Sequence, residues 1–440
     1  LNSNELNARR AAISILRAWQ KQKNRISAEL NQQLKRSSLS QDDRRLVTEL
    51  VNGAIRMQGR LDWELAKIYR GNYSKLDPEV RLILLLAAHQ IKFINRVPDY
   101  AAVSTAVELA KAINQSAGKL VNGVLRNYIR TSFVKPSAEK LQDYYAWMSH
   151  PQWLVEKWIR QWSLEKVSAL TDWNNTIPAL WVRINELDFT QSEFEEYCKL
   201  HRLEIEQFAD IPRFYKVKEI SKLLNSPLFP EGKLSVQDPA GGLVIRLLQP
   251  RKDDVIADGC SAPGGKTSYI AECLGNNGSV QAFDSDGDRL AKVAESAKRL
   301  GLENITLQQK DLGRQSIPAT DKLLLDVPCS GTGVMAKRSD LRWRRNLGQI
   351  LKLSELQFKI LNNAAKYVNP AGVLVYSTCS LEPEENWQII DRFLADNKNF
   401  RIEPAQSLLP EKYCDGKGAL FTFPPVHKID GGFAVRLRKE

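Results

Sequence analysis

Apolar positions in the first third of the chain recur at helical spacing. Ala11, Ile15, Leu16 and Ala18 form one stripe, and Leu46, Leu50 and Val51 begin another. Ser40–Gln41–Asp42–Asp43 precedes the second stripe as a start signal. Asp77–Pro78–Glu79 puts a proline in the first turn of a helix carrying Leu82, Leu85 and Leu86. Two more helices are expected near 99–113 and 118–131. No strand-type alternation interrupts them, so residues 1–145 are expected to be all-α.

The pattern then changes. Residues 146–235 contain Trp147, Trp153, Trp158, Trp162, Trp173 and Trp181, and Ala179–Leu180–Trp181–Val182–Arg183–Ile184 alternates as a strand does. These tryptophans are expected to fill a core rather than stack on bases. Pro227, Pro230 and Gly232 mark a boundary. From 236 to 440, strands alternate with helices. Strands are expected at 254–258, 279–284, 305–310, 322–326 and 372–378, with later ones near 418–423 and 432–438. Helices fit near 266–274, 287–300, 353–368 and 384–395. This is the pattern of a doubly wound parallel sheet, preceded by a small α/β linker domain and an all-α domain.

At 440 residues, two or three domains are the natural expectation. Six cysteines without a C-x-x-C pair form neither a disulfide framework nor a zinc site, which fits a reducing cytoplasm. No signal-type apolar core opens the chain, and the longest apolar run, Leu82 to Ala88, is too short to span a membrane. The net charge of +12 is concentrated at one end: residues 1–150 hold 24 Lys and Arg against 13 Asp and Glu. A basic module joined to a near-neutral one points to a polyanionic partner.

Chemistry concentrates at strand ends, where open α/β sheets bind ligands. Strand 254–258 runs into Asp258–Gly259–Cys260–Ser261–Ala262–Pro263–Gly264–Gly265–Lys266–Thr267 and then a helix. Such a loop lets backbone approach a ligand beside free helix N–H groups. Asp284, Asp311 and Asp326 close the next strands, and an acid at the second can hold ribose hydroxyls. Gly265–Lys266–Thr267 ends like a P-loop, but the first glycine that motif needs falls on Cys260, so a P-loop NTPase is set aside. Cys329 and Cys379 each follow an apolar strand, and two thiols delivered to one crevice suit covalent chemistry. Cys260, Cys198, Cys273 and Cys414 are expected to be structural, and His427 is the one histidine near a motif. Ala336 to Arg345 carries five cations and Trp343, a candidate RNA contact.

The loop 258–267, Asp326–Val327–Pro328–Cys329 and Thr378–Cys379–Ser380 together resemble the Nop/Sun family of RNA cytosine-C5 methyltransferases. Val236–Gln237–Asp238 and Gly431–Gly432–Phe433–Ala434 resemble its flanking motifs, and residues 1–145 look like a NusB-type RNA-binding module. The resemblance implies a Rossmann-like sheet using S-adenosylmethionine, held by Cys260, Ser261, Ala262, Pro263, Gly264, Gly265, Lys266, Asp284, Asp311 and Asp326. It implies Cys379 as nucleophile, Cys329 as the group needed for product release, and Asp326 as a contact to the base. The expected substrate is RNA, small-subunit rRNA before transfer RNA, taken by a monomer without metal or membrane. A non-catalytic RNA-binding assembly factor is the rival, and the intact thiol pair argues against it. Gly259, Ser261, Val327 and Ala434 depart from the family pattern without removing a reacting group.

Overall fold

The computed structural model describes residues 3–22, 25–275 and 277–440. It separates into two units: residues 1–177 with Met335–Arg344, and residues 178–334 with 345–440.

The first unit is helical. Its long helix Gln41–Ile68 starts where Ser40 accepts a hydrogen bond from the Asp43 amide at 3.1 Å, and helix Pro78–Phe93 starts on Asp77 with proline in its first turn. Each such cap is worth about 1 kcal/mol. Leu50, Val51, Ala54 and Leu61 from the first helix meet Leu82, Leu85 and Leu86 from the second in one core. Each fully buried side chain of this size contributes roughly 1.5–3 kcal/mol. Helices Asp99–Lys111 and Gln115–Arg130 follow as expected.

This unit also takes in sequence from elsewhere. Helices Gln152–Gln161 and Leu164–Asn174 belong to it, so the compact units divide the expected 146–235 segment after residue 177. Met335–Arg344 belongs to it as well, and this corrects the RNA-contact expectation at Arg342 and Trp343, whose side chains bond within the unit, while Arg338 is exposed. Arg342 is fully buried, and its guanidinium donates to Oδ1 of Asn175 at 2.6 Å and to the carbonyls of Asn174, Ser149 and Arg56 at 2.8, 3.1 and 3.2 Å. The Trp343 indole donates to the Ile55 carbonyl at 2.8 Å, and Arg344 pairs with Asp340. A buried guanidinium needs its donors satisfied, and here neutral acceptors, backbone carbonyls and the Asn175 side chain, take its two terminal nitrogens without a carboxylate, while Nε is left without a partner.

The second unit holds two sheets among the described residues. Strands β1 (Leu180–Ile184), β2 (Ile205–Gln207), β3 (Phe214–Val217) and β4 (Leu234–Val236) form an antiparallel sheet in the order β2–β3–β1–β4. The alternation read at 179–184 is β1, with Trp181 buried. The larger sheet contains β5 (Val255–Gly259), β6 (Ser279–Asp284), β7 (Ile305–Gln309), β8 (Thr320–Asp326), β9 (Val368–Thr378), β10 (Phe400–Glu403), β11 (Leu420–Thr422) and β12 (Gly432–Lys439). Its order is β10–β12–β9–β8–β5–β6–β7, with β11 paired to β12. Strands β5 to β9 run parallel, and β10 to β12 add antiparallel pairs.

The chain winds outward from β5 to β7, then returns to place β8 on the other side of β5. That reversal is a topological switch point, where the strand ends separate and leave a crevice. Register then sets the chemistry: Asp326 on β8 lies opposite Ser377 on β9. Cys329 and Cys379 follow within three residues of that pair. The unpredicted elements include helix Pro239–Leu248, apolar on nearly every side, and β10.

Candidate active site

A cleft of about 210 Å³ opens at the carboxyl ends of the parallel strands. Ser261, Ala262, Pro263, Gly265, Lys266, Asp326 and Cys379 line it, together with Gln237, Asp238, Asp258 and residues 430–433. The flanking motifs noted in the sequence thus face the same space as the loop. Of the other predicted donor-site residues, Asp284 supports the loop by accepting the Ala262 amide at 3.1 Å. Asp311 is occupied locally, accepting the Gly313 amide at 2.9 Å and lying 3.7 Å from Arg314. Cys260 packs against an apolar cluster, and burial pushes its thiol pKa up, as expected of a structural cysteine. His427 accepts the Phe423 amide at 2.7 Å and contacts the Lys412 carbonyl, a structural role.

The loop bends through Cys260 and Gly264 at φ of 62° and 100°. Gly264 caps helix Gly265–Leu274 without a side-chain hydrogen bond, so its first amides are available to a ligand. Gly259, where the family pattern has a bulky residue, lies under Leu312 and Leu325: a Cβ there would meet them at 2.4 and 2.7 Å. Gly333 and Gly431 pass so closely that a Cβ on Gly333 would lie 2.3 Å from the Gly431 carbonyl oxygen. The Gly333 amide also donates to the Cys379 carbonyl, and the Gly431 amide to the Gly333 carbonyl, at 3.0 and 2.9 Å. Three chain segments are thereby fixed at one edge of the cleft.

The thiols are adjacent. Cys329 Sγ and Cys379 Sγ are 3.0 Å apart, and the Cys379 amide donates to Cys329 Sγ at 3.3 Å. The hydrogen bond to Cys379 first, then burial, holds the Cys329 thiol well above its ordinary pKa. Burial opposes the Lys266 ammonium, but Asp326, Cys379 and Asp258 outweigh it and raise its pKa. Lys266 bonds Asp326 at 2.7 Å, and the other Asp326 oxygen accepts from Ser377 at 2.8 Å.

Asp258, which opens the loop, accepts from Thr267 at 2.6 Å through one oxygen. Its other oxygen and the Ser261 hydroxyl are buried without a hydrogen-bond partner, and both residues line the cleft. Burial pushes the Asp258 carboxyl up to about 7. Unsatisfied polar atoms beside a glycine-rich helix start, with acids around them, fit a cationic nucleoside ligand. The residues present thus fit S-adenosylmethionine.

Fold and cleft together define a class, the Rossmann-like S-adenosylmethionine-dependent methyltransferases. Residues 245–438 match the family described as 16S rRNA methyltransferase RsmB/F, residues 6–130 the NusB family, and residues 150–212 the ferredoxin-like domain of RsmF/B-like methyltransferases. A probable ribosomal RNA small subunit methyltransferase B of Synechocystis is 35% identical, over 99% of this chain and 100% of that one. A Bacillus subtilis protein of the same description is 32% identical, over 92% and 93%. The crystal structure of PH0851 superposes with a TM-score of 0.81 at 25% identity, covering 99% of both chains. The chain belongs to the 16S rRNA methyltransferase RsmB/F family and is an S-adenosylmethionine-dependent RNA methyltransferase.

Proposed function

We propose that this enzyme methylates C5 of a cytosine in small-subunit rRNA through a covalent bond between Cys379 and C6 of the base. The apposition of Cys329 to Cys379, which lines the cleft beside the donor loop, carries this reading. C5 of cytosine is a weak nucleophile. Attack of the Cys379 thiolate forms the S–C6 bond, moves the C5–C6 π pair toward N3, and leaves C5 enamine-like. S-Adenosylmethionine supplies an electrophilic methyl group on a sulfonium. The Lys266 ammonium favours the Cys379 thiolate, and the Asp326 carboxylate is placed to hold N3 or the amino group of the base.

Release needs a base for the C5 proton. Before Cys379 attacks, its hydrogen bond is the largest factor raising the Cys329 pKa. Once Cys379 is bonded to carbon, that largest cause disappears, burial and Glu385 remain, and Cys329 passes its proton to solvent. As thiolate it takes the proton from C5, the C5–C6 double bond reforms, and the S–C6 bond breaks. The target base must be flipped from its stack to reach the thiols.

The position that the resemblance points to is cytosine 967 of 16S rRNA. Bisulfite sequencing of RNA from a deletion strain tests it. One protected cytosine should be lost from small-subunit rRNA at that position; loss from transfer RNA alone would overturn the substrate assignment.

A further inference from the structure

Each cysteine of the pair is followed by a serine, and both serines are fully buried on one carboxylate. Glu385 is itself fully buried, in the turn Pro383–Glu385 beyond β9. One of its oxygens accepts the Ser330 amide at 2.8 Å and the Gln357 side-chain amide at 2.9 Å. The other accepts the hydroxyls of Ser330 and Ser380. Those hydroxyls lie 3.1 Å from each other. Gln357 also donates to the Pro328 carbonyl at 2.8 Å, and Tyr376 fixes the turn by donating to the Glu385 carbonyl at 2.7 Å.

We propose that Glu385 is a positioning residue that holds Cys329 against Cys379 by binding the residue after each of them. The two loops leave different strands, and a single carboxylate reaches both. Four donors converge on it, from amides and hydroxyls, and none of them is a thiol. It therefore acts through Ser330 and Ser380. Burial raises its pKa while Ser330, Ser380 and Gln357 oppose that rise, and its charge adds to the factors keeping Cys329 protonated. Glutamine at this position keeps the acceptor for the Ser330 and Gln357 amides and presents an NH₂ to two hydroxyls able to accept. Alanine removes the tie altogether.

The inference rests on the adduct mechanism proposed above, and the experiment separates the two. Full-length wild type, Glu385→Ala, Glu385→Gln, Cys329→Ala and the Cys329→Ala/Glu385→Ala double variant are given unmethylated small-subunit rRNA transcript and S-adenosylmethionine. Turnover, the RNase-sensitive protein–RNA band on a denaturing gel, and donor affinity by calorimetry are read for each. Glu385→Ala should lose about a hundredfold in turnover, the scale set by a misplacement of about 1 Å. It should accumulate adduct as Cys329→Ala does, with donor affinity unchanged. Glu385→Gln should restore turnover to within about threefold of wild type, the range of a retained hydrogen-bond geometry. The double variant should hold no more adduct than Cys329→Ala. Adduct in Cys329→Ala but none in Glu385→Ala overturns the positioning role, as does a loss of donor affinity that matches the loss of turnover. No adduct in Cys329→Ala overturns the underlying mechanism instead. If Glu385→Ala does not fold, Ser380→Ala takes its place, and a Ser380→Ala protein without adduct overturns the positioning role.

Discussion

Buried carboxylates in the two units keep different company. In the helical unit, Glu64 has no exposed surface and accepts from the cations Arg60 and Lys92 and from the Tyr128 hydroxyl. In the sheet unit, Glu272 is likewise paired with Arg183. At the cleft and in the turn beyond β9 the pattern changes. Glu385 is held by amides and hydroxyls, and Asp258 by one hydroxyl, with its second oxygen left over. A buried charge with a cation beside it is matched within the fold. Without a cation bonded to it, Asp258 keeps a spare oxygen for a ligand, and Glu385 is left to tie the two cysteine loops together. The difference separates side chains that hold the molecule together from those that do its chemistry.

The sharpest break in that comparison is Cys379→Ala. It should abolish methyl transfer, by on the order of a thousandfold or more, because removing a nucleophile removes the covalent route. Its thermal unfolding should match wild type; a melting temperature lowered in step with activity would make Cys379 a structural residue. Glu64→Ala tests the other side. Removing the acceptor strands two cations and a phenol, at a cost of about 3–5 kcal/mol in denaturant unfolding. The variant that remains folded at low temperature should bind S-adenosylmethionine as wild type does. A changed donor affinity would show that Glu64 is not confined to stability.

The sequence made the strand ends legible because alternation and loop composition are local signals. Asp326, Cys329 and Cys379 could be placed at strand carboxyl ends from their neighbours alone. The thiol contact needed more, since it depends on the register between β8 and β9. Helix Pro239–Leu248 was missed because residues apolar on all sides show no period. Strand β10 was missed because what defines it is pairing with β12, over thirty residues away in the chain. Arg342 was misread for a related reason. It resembles part of a solvated basic patch until its partners, from Arg56 to Asn175, are seen. Glu385 gave no signal beyond its place in an acidic turn, because its function depends on two serines delivered from different strands.

Arg342 is the counterpart of the cleft acids, a buried cation satisfied by neutral groups, and burial followed by nearby Arg56 lowers its pKa to about 9. Arg342→Ala leaves several carbonyls without donors and should cost about 3 kcal/mol of stability. RNA affinity of the folded variant should stay within about twofold of wild type, since surface phosphate contacts rather than buried groups set the salt-dependent binding. A variant of full stability with weakened RNA binding would restore the surface-contact reading of this segment.

Asp258 gives the smallest effect and the most specific one. Its carboxyl pKa is raised from 3.8 to about 7 in the folded protein, chiefly by burial. Such a group favours the folded state below its unfolded pKa, and that contribution is lost as pH rises through about 7. The ligand-free protein should therefore lose stability between pH 4 and pH 7, and Asp258→Asn should remove that part of the loss. Ligand binding adds the opposite slope. A donor that hydrogen-bonds the free Asp258 oxygen as a carboxylate displaces a proton below pH 7. Affinity for S-adenosylmethionine should then rise with pH, by at most about tenfold per unit, and level off above 7. Calorimetry at pH 6, 7 and 8 on wild type and Asp258→Asn isolates the slope that belongs to this one group. If the two proteins show the same slope, the unpartnered oxygen is not where the donor binds.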